Sequence, residues 1–221
     1  LGLTAYVYGL AAGAFFWGTA GTVTLGSNTS VGGLTFATTG YTLAGGGNTL
    51  ALTGAGSIAA SSGVINNGTF DISGTTSGAT INALTGTGTV ALGSRTLTLA
   101  NASGTFSGAI GGTGGLTVAG GTQTLSGVNT YTGATMVNAG TLALSGAGRL
   151  ASSTSVTLAG ATAALDLSAG GSQTVAHLSG VAGSRVVLGG NALTLSDDSS
   201  QTFGGSLGGT GDLVKQGAGT L

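Results

Sequence analysis

The chain has 221 residues, of which four are basic and five acidic, and its net charge is −1. This balance excludes the cationic surface that a nucleic-acid-binding protein needs. There are 48 glycines but no proline or cysteine, so disulfides and cysteine metal sites are excluded as well. The mean hydropathy of +0.48 separates the chain from disordered glycine- and serine-rich sequences, which have low hydrophobicity.

Residues 1–21 form an uncharged apolar run that is long enough to suggest a membrane helix. A signal peptide would begin with a basic region, which this run lacks. Its glycines and the aromatic cluster Phe15, Phe16 and Trp17 favour a strand or cap. We therefore expect a terminal coil of the fold here, with a membrane or signal segment as the alternative.

Short runs that alternate apolar residues with threonine or serine recur along the chain: 22–25, 34–36, 49–52, 96–99, 141–144 and 193–195. A period of two residues predicts β-strands. Glycine-rich breaks such as 44–48 and 111–115 lie between the runs. No stretch has the period of an amphipathic helix, so the whole chain is predicted to consist of strands and turns.

The chain also contains a long internal repeat. Residues 49–64 return as 141–156 with ten of sixteen positions identical, and residues 105–118 return as 202–215 with eight of fourteen identical. We predict N-terminal coils or a cap at 1–48, a first repeat unit at 49–140 and a second, truncated unit at 141–221, all in one continuous solenoid. Because the second unit stops early, we expect the natural chain to continue.

Each strand run has one apolar face that it cannot bury alone. Stacked coils solve this problem, because parallel strands then pair about 4.8 Å apart and bury a continuous apolar column. The sequence therefore predicts an all-β fold, a single-stranded parallel β-helix (β-solenoid) with about 20 to 25 residues per coil. The alternative is a string of antiparallel β-sandwiches, but only Asn67-Gly68 offers the two-residue turn that hairpins favour.

Three segments carry a family resemblance: 18–46, 111–146 and 208–221. They resemble the autotransporter-associated β-strand repeat, and the core LSGVNTYTG at 125–133 is its most specific part. Lys215 stands where the family has its usual lysine, which Val118 replaces in the first copy.

This resemblance implies the passenger domain of a Gram-negative autotransporter. Such passengers are typically right-handed β-helices that a C-terminal outer-membrane barrel carries to the cell surface, so a barrel is expected in the full-length chain. The resemblance also implies a secreted or cell-surface location. Some family members are adhesins or biofilm proteins, and in many the repeat resembles a stalk.

The acidic residues do not form a predicted catalytic site. They are Asp71, Asp166, Asp197, Asp198 and Asp212. Carboxylate catalysis needs a placed pair, whereas Asp71 and Asp166 are equivalent positions of separate copies. We interpret all five as solvated or turn residues, with Asp197-Asp198 as at most a weak cation site.

Other matches to chemical motifs have simpler interpretations. Residues 204–208, GGSLG, match the G-x-S-x-G string of a nucleophile elbow, but no helix is predicted after them. His177, the only histidine, is expected to be solvated or packed. In GGTGD at 208–212 the aspartate comes one position early for a calcium repeat. No catalytic, cofactor-binding or metal residue is therefore assigned.

Two surface features remain. Thr-x-Thr pairs such as Thr22/Thr24 and Thr96/Thr98 resemble the threonine arrays of ice-binding solenoids, but the regular coil-by-coil recurrence that such a surface needs is missing, so we interpret them as outward-facing strand residues. The tyrosines Tyr6, Tyr8, Tyr41 and Tyr131 are treated as exposed aromatics that could contact glycans.

Three functional hypotheses follow. The leading one is a non-enzymatic, surface-displayed rod, a stalk or scaffold acting in adhesion, aggregation or biofilm, whose low charge permits self-association or contact with a host surface. The second is a module that binds a glycan or host surface through an inserted loop such as 181–184. The third, a polysaccharide-acting β-helix enzyme, requires clustered acids.

Overall fold

The protein was analysed as a computed structural model, which describes residues 5–7, 14–16, 22–31, 34–36, 42–55, 58–59, 62–152 and 154–221. Every regular element in these ranges is a β-strand, and no helix occurs in them. No helix in the described ranges is therefore long and apolar enough to cross a membrane.

The strands are short, because each alternating run is interrupted by a glycine or polar turn after a few residues. The first half of the chain contains β1 (Ala5–Val7), β2 (Ala14–Phe16), β3 (Thr22–Leu25), β4 (Thr29–Val31), β5 (Leu34–Phe36), β6 (Thr42–Ala44), β7 (Thr49–Gly54), β8 (Gly63–Ile65), β9 (Thr69–Thr75), β10 (Ala79–Ile81), β11 (Leu84–Thr85), β12 (Thr89–Ala91), β13 (Leu97–Leu99) and β14 (Thr105–Phe106). The second half contains β15 (Ala109–Gly111), β16 (Leu116–Val118), β17 (Thr122–Leu125), β18 (Thr135–Val137), β19 (Thr141–Ser145), β20 (Val156–Leu158), β21 (Ala164–Ala169), β22 (Gln173–Val175), β23 (Leu178–Gly180), β24 (Arg185–Gly189), β25 (Leu193–Leu195), β26 (Ser206–Gly209) and β27 (Leu213–Lys215).

All the strand pairs are parallel, and they stack into three ladders that the chain visits in turn. Ladder A contains β1, β3, β6, β8 and β11 and continues through the parallel bridge between Gly86 and Phe106 into β14, β17, β19, β21, β24 and β26. Ladder B contains β4, β7, β9, β12 and β15 and, in later turns, β22, β25 and β27. Ladder C contains β10, β13, β16, β18, β20 and β23, and the pair β2 and β5 holds the same place in earlier turns.

This topology confirms the predicted parallel β-solenoid and rules out the antiparallel sandwiches. The turns are slightly tighter than expected. Ala5 pairs with Val23, 18 residues further on, and Leu142 pairs with Leu165, 23 residues further on. The handedness of the winding stays a prediction.

The core is a set of apolar columns that run through successive turns. In ladder C, Ile81, Leu99 and Val118 pair in register, and each of them is fully buried. A corresponding apolar column in ladder A contains Phe106, Leu125 and Leu144. Each large apolar side chain buried in this way stabilises the fold by about 1.5–3 kcal/mol before entropy is counted, so the columns are the main reason the turns stay stacked.

Glycine is required at the corner between ladders C and A. Gly121 and Gly140 have φ angles of +75° and +77°, which L-residues rarely adopt. A Cβ atom added to Gly140 would lie 2.0 Å from the carbonyl oxygen of Gly121 in the turn beside it. The corner therefore needs glycine both for its backbone conformation and for the close approach of the two turns.

The length of the long sequence repeat is not a whole number of solenoid turns. The run at 49–52 lies in ladder B as part of β7, whereas its copy at 141–144 lies in ladder A as part of β19. The equivalent strands β10 and β22 differ in the same way, since they lie in ladders C and B. Equivalent residues of the two copies therefore belong to different sides of the solenoid. The unit boundaries at 48 and 140 stay predictions.

The N-terminal run partly follows the sequence prediction. β1 pairs with β3, and β2, which contains Phe15 and Phe16, pairs with β5. The backbone of these segments therefore joins the stacked turns, as expected for a terminal coil. Trp17 lies outside the described residues.

Candidate functional site

The two equivalent aspartates are used in local turns. Asp71 Oδ1 accepts a hydrogen bond from the backbone N–H of Ser73 at 2.8 Å, and Asp166 Oδ1 accepts one from Ser168 at 2.9 Å. Both lie where the pairing register shifts by a residue, between β7 and β9 and between β19 and β21. The repeat thus preserves one turn structure at two places, and the two carboxylates belong to different ladders.

A polar cluster missed by the sequence analysis forms at the turn after β25. His177 Nδ1 contacts Asp197 Oδ2, and the described part of the chain holds no other contact between a basic and an acidic side chain of this kind. The Ser199 hydroxyl donates to the same carboxylate oxygen and lies 3.1 Å from His177 Nδ1. Lys215 Nζ donates to the Asp197 carbonyl oxygen. The sequence does contain one indication of this contact, because the separation of His177 and Asp197 along the chain equals about one turn of the solenoid.

The cluster is not arranged as a Ser-His-Asp catalytic triad. In such a triad the imidazole bridges the other two groups through its two nitrogens. Here Ser199 and Asp197 both contact Nδ1 of His177, and the Ser199 hydroxyl donates directly to the carboxylate. No proton path from serine through histidine to aspartate exists in this arrangement, so the cluster is better described as a contact between turns.

The surroundings favour the ionised form of Asp197. The pKa of this carboxyl lies below its usual value, chiefly because the Ser199 hydroxyl donates to it, and the charges of His177 and Lys215 act in the same direction. Partial burial opposes them, since it disfavours the charged form. The carboxylate therefore stays ionised at lower pH than a free aspartate would.

The remaining motif residues lie apart from one another. Ser206 starts β26, where its N–H donates to the carbonyl oxygen of Ser184 at 2.9 Å, and Asp212 is exposed just before β27. The described residues contain no group of three or more His, Cys, Asp or Glu that could hold a metal ion. Asp198 accepts a hydrogen bond from the N–H of Ala218 at 3.0 Å, as expected for a turn residue.

Tyr131 is buried, so its assignment as an exposed aromatic is wrong. It is fully enclosed in the core, and its hydroxyl lies 2.6 Å from Oγ1 of the buried Thr135. Burial raises the pKa of the Tyr131 phenol well above its ordinary value, because the phenolate would lose its hydration. Tyr6 lies in β1, whereas Tyr8 and Tyr41 lie outside the described residues.

Asn129 shows why the segment around Tyr131 is so specific in sequence. This side chain is only 2 % exposed, and its amide donates to the carbonyl oxygens of Gly127 and Arg149, both at 3.0 Å. Its Oδ1 accepts a hydrogen bond from the N–H of Ile110 at 3.1 Å. Asn129 therefore connects its own turn to the turns on both sides, and the motif at 125–133 is structural.

The expectation that outward threonines do not recur from coil to coil is wrong for ladder C. One register position is occupied in six successive turns by Thr80, Thr98, Thr117, Met136, Thr157 and Ser179. We call this set the ladder C column. The two residues on either side of each member include no Asp, Glu, Lys or Arg. The column is thus bordered by uncharged residues along its length, and Met136 interrupts its hydroxyl side chains.

A second surface feature is a shallow groove on ladder B. It has a volume of about 480 Å³ and is lined by small side chains, among them Ser73, Ala91, Ala109 and Thr130. No charged side chain lines it. The groove has the size of a ligand site but lacks the convergent polar groups that fix a ligand's orientation.

The predicted binding loop at 181–184 is a tight turn. Val181 is 44 % exposed, whereas Ser184 is fully buried and its hydroxyl donates to the Val181 carbonyl oxygen at 2.7 Å. Only the apolar tip of the loop is therefore presented to solvent.

The comparison with known families agrees with the motif and the fold. The family model of the passenger-associated-transport-repeat matches residues 120–144. These residues include β17, the buried Asn129 and Tyr131, and β18. No curated protein and no solved structure matches the chain. The matched repeat together with the β-solenoid fits an autotransporter passenger domain.

Proposed function

We propose that this chain is a non-enzymatic rod of an autotransporter passenger, displayed at the cell surface or secreted, where it acts as a stalk or scaffold. The observation that carries the proposal is the unbroken parallel stacking around the matched repeat at 120–144. The paired strands belong to neighbouring turns, so added turns extend such a rod without altering its cross-section. In the full-length protein, a C-terminal outer-membrane translocator of the kind the family implies would carry it across the outer membrane.

The use of the acidic side chains supports a structural role. The carboxylates of Asp71 and Asp166 each accept the backbone N–H of the residue two positions later in the chain, and that of Asp198 accepts the N–H of Ala218. Asp197 is paired with His177. A carboxylate that is already committed to backbone or ionic partners is poorly placed to act as a general acid or base towards a substrate.

We further propose that the ladder C column mediates adhesion between copies or between cells. Surfaces without charge lose less hydration free energy when they meet than charged surfaces do, and low net charge favours association. The six stacked members span five intervals of about 4.8 Å, so one solenoid offers a side about 24 Å long. A contact along one such side buries little surface compared with a stable dimer interface. The association would therefore be weak for one pair of chains and strong only for many copies.

The test is a display experiment with matched charge variants. Cells that display the chain are compared with cells that display Thr98→Lys/Thr117→Lys, two changes in the ladder C column. The control is Thr174→Lys/Thr194→Lys, which adds the same charge to paired outward positions of ladder B. Sedimentation of the cells should slow for the ladder C variant alone. Equal slowing in both variants, or in neither, would exclude the column as the adhesive side.

The second candidate, a glycan- or host-binding module, is favoured by the groove on ladder B. Replacing Ala91 or Ala109 in its lining by Phe would fill the groove without adding charge. If the chain binds through this groove, retention on a glycan array should fall for these variants and stay unchanged for Thr98→Lys/Thr117→Lys. Retention that is insensitive to filling the groove would remove this candidate.

A further inference from the structure

Two features on different sides of the solenoid have complementary shapes. On ladder C, Met136 is the one large apolar side chain in the ladder C column, and it is 37 % exposed. On ladder B, the groove is lined by small residues that include Ala91, Ala109 and Gly111. A methionine side chain is unbranched and flexible, so it fits irregular hollows of this kind. Each chain therefore carries both a protruding apolar side chain and a hollow that can receive one.

The groove also ends beside an exposed apolar side chain. Thr130 lines the groove, and Val128, two residues earlier in the chain, is 53 % exposed. An apolar side chain in this position leaves water when a partner covers it, which favours association. Because no charged side chain lines the groove and it lacks convergent polar groups, it suits an apolar occupant better than a sugar.

Only two of the first 148 residues are charged, and each of them lies near one of these features. Asp71 belongs to β9 on ladder B, which comes two turns before β15 with Gly111. Arg95 lies two residues before β13, which comes two turns before β18 with Met136. The two opposite charges are therefore displaced along the solenoid axis in the same direction and by the same two turns, about 10 Å.

Both charges can meet a partner from outside the chain. Asp71 and Arg95 are each partly exposed. The Oδ1 atom of Asp71 accepts the N–H of Ser73, and Nη1 of Arg95 donates to the carbonyl oxygen of Thr76 at 2.9 Å. Neither side chain forms an ion pair within the described ranges. Each charge is therefore held in place by backbone but is not neutralised by an opposite charge there.

These charges distinguish the two ways in which two chains can be arranged when Met136 of one lies against Gly111 of the other. With parallel axes, Arg95 of the first chain is level with Asp71 of the second. With antiparallel axes, Arg95 is level with the exposed Arg149, which belongs to the second turn after that of Gly111. Opposite charges attract and like charges repel, so the parallel arrangement is favoured and the antiparallel one is disfavoured.

From this complementarity we propose that the groove on ladder B is the docking site for the ladder C column of a second copy of this chain, with Met136 in the groove and the two axes parallel. The inference rests on the proposed adhesive role of the ladder C column and names the surface that the column meets. Because the contact joins unlike sides, each chain can bind one neighbour through its groove and another through Met136. Chains displayed on the same surface then associate side by side into arrays.

Cysteine cross-linking tests the contact, because the chain has no cysteine of its own. Thr117→Cys places a thiol one turn before Met136, and in the parallel arrangement this thiol is level with Ala91. Thr117→Cys and Ala91→Cys chains are mixed in concentrated solution, where neither orientation is imposed, and are oxidised. We expect a mixed disulfide for this pair. Thr130→Cys lies two turns beyond Ala91, about 10 Å away, whereas a disulfide requires Cα atoms about 4.4–6.8 Å apart, so its yield with Thr117→Cys should be much lower.

Three results would overturn the proposal. A preference of Thr117→Cys for Thr130→Cys would show antiparallel chains, and disulfides among Thr117→Cys chains alone would show that two ladder C columns meet each other. Equal yields with Ala91→Cys and Thr130→Cys would show random collision. The sedimentation of cells that display Thr98→Lys/Thr117→Lys does not depend on the groove. Slower sedimentation of those cells without the expected disulfide would therefore retain the adhesive column and reject only this docking site.

Further variants identify the groups responsible. In the Thr117→Cys chain, Met136→Ser should lower the yield of the mixed disulfide about tenfold because apolar burial is lost, whereas Met136→Leu should preserve it. In the Ala91→Cys chain, Asp71→Asn removes the charge but keeps an acceptor for the Ser73 N–H, and should lower the yield by up to about fivefold. The control is Asp166→Asn, the equivalent turn residue on ladder A, which should have no effect. An unchanged yield with Met136→Ser would contradict the docking, and one with Asp71→Asn would contradict the parallel orientation.

Discussion

The turn matched by the family model and the turn at residues 196–201 are stacked in the same solenoid but are stabilised differently. In the matched turn Leu125, Asn129 and Tyr131 are all buried, and every amide hydrogen bond of Asn129 reaches backbone. In the later turn Asp197, Asp198 and their partners are partly or fully exposed. The matched turn is stabilised mainly by buried side chains and residues 196–201 mainly by polar contacts near the surface, so substitutions should affect them to different degrees.

The largest expected effect is a cavity in the matched turn. Leu125→Ala removes a fully buried side chain from the ladder A column and should lower the free energy of unfolding by about 2–5 kcal/mol. Val181→Ala, a change at an apolar residue that is 44 % exposed, should cost less than about 1 kcal/mol. Urea titrations followed by circular dichroism measure both. Similar losses in the two variants would show that burial in the column does not determine the loss.

A smaller effect is expected from Asn129→Ala. The change leaves the N–H of Ile110 without its acceptor, which costs about 1–3 kcal/mol, whereas the carbonyl oxygens of Gly127 and Arg149 keep their backbone N–H donors. The control is Asn138→Ala, because Asn138 is exposed. The same titration should detect a loss for Asn129 alone, and a neutral Asn129→Ala would mean that water can replace the amide.

The smallest effect should come from Tyr131→Phe, which removes only the hydroxyl bonded to Thr135. At neutral pH we expect a loss of about 0.5–1.5 kcal/mol. Because the pKa of Tyr131 is higher in the folded chain than in the unfolded one, the parent chain should also lose stability as the pH rises above about 10. The phenylalanine variant should lack that part of the decline. Parallel pH profiles for the two chains would contradict the buried phenol.

The sequence predicted the strands and their stacking because period-two alternation directly specifies which side chains face the core. Thr96 to Leu99, for example, alternates in the sequence, and Leu97 and Leu99 are fully buried. The burial of Tyr131 could not be predicted, because a lone tyrosine in a polar run gives no periodic signal. The ladder C column and the contact between His177 and Asp197 also escaped prediction, since both require the length of each turn, which varies.

Distances along ladder C test the stacked turns most directly. Spin labels are placed at Thr80 and Ser179, which occupy the two ends of the ladder C column, and in a second sample at Thr98 and Ser179, one turn closer. Parallel stacking predicts backbone separations of about 24 Å and 19 Å, differing by one strand spacing. A broad distribution, or two distances that do not differ by about 5 Å, would contradict the solenoid.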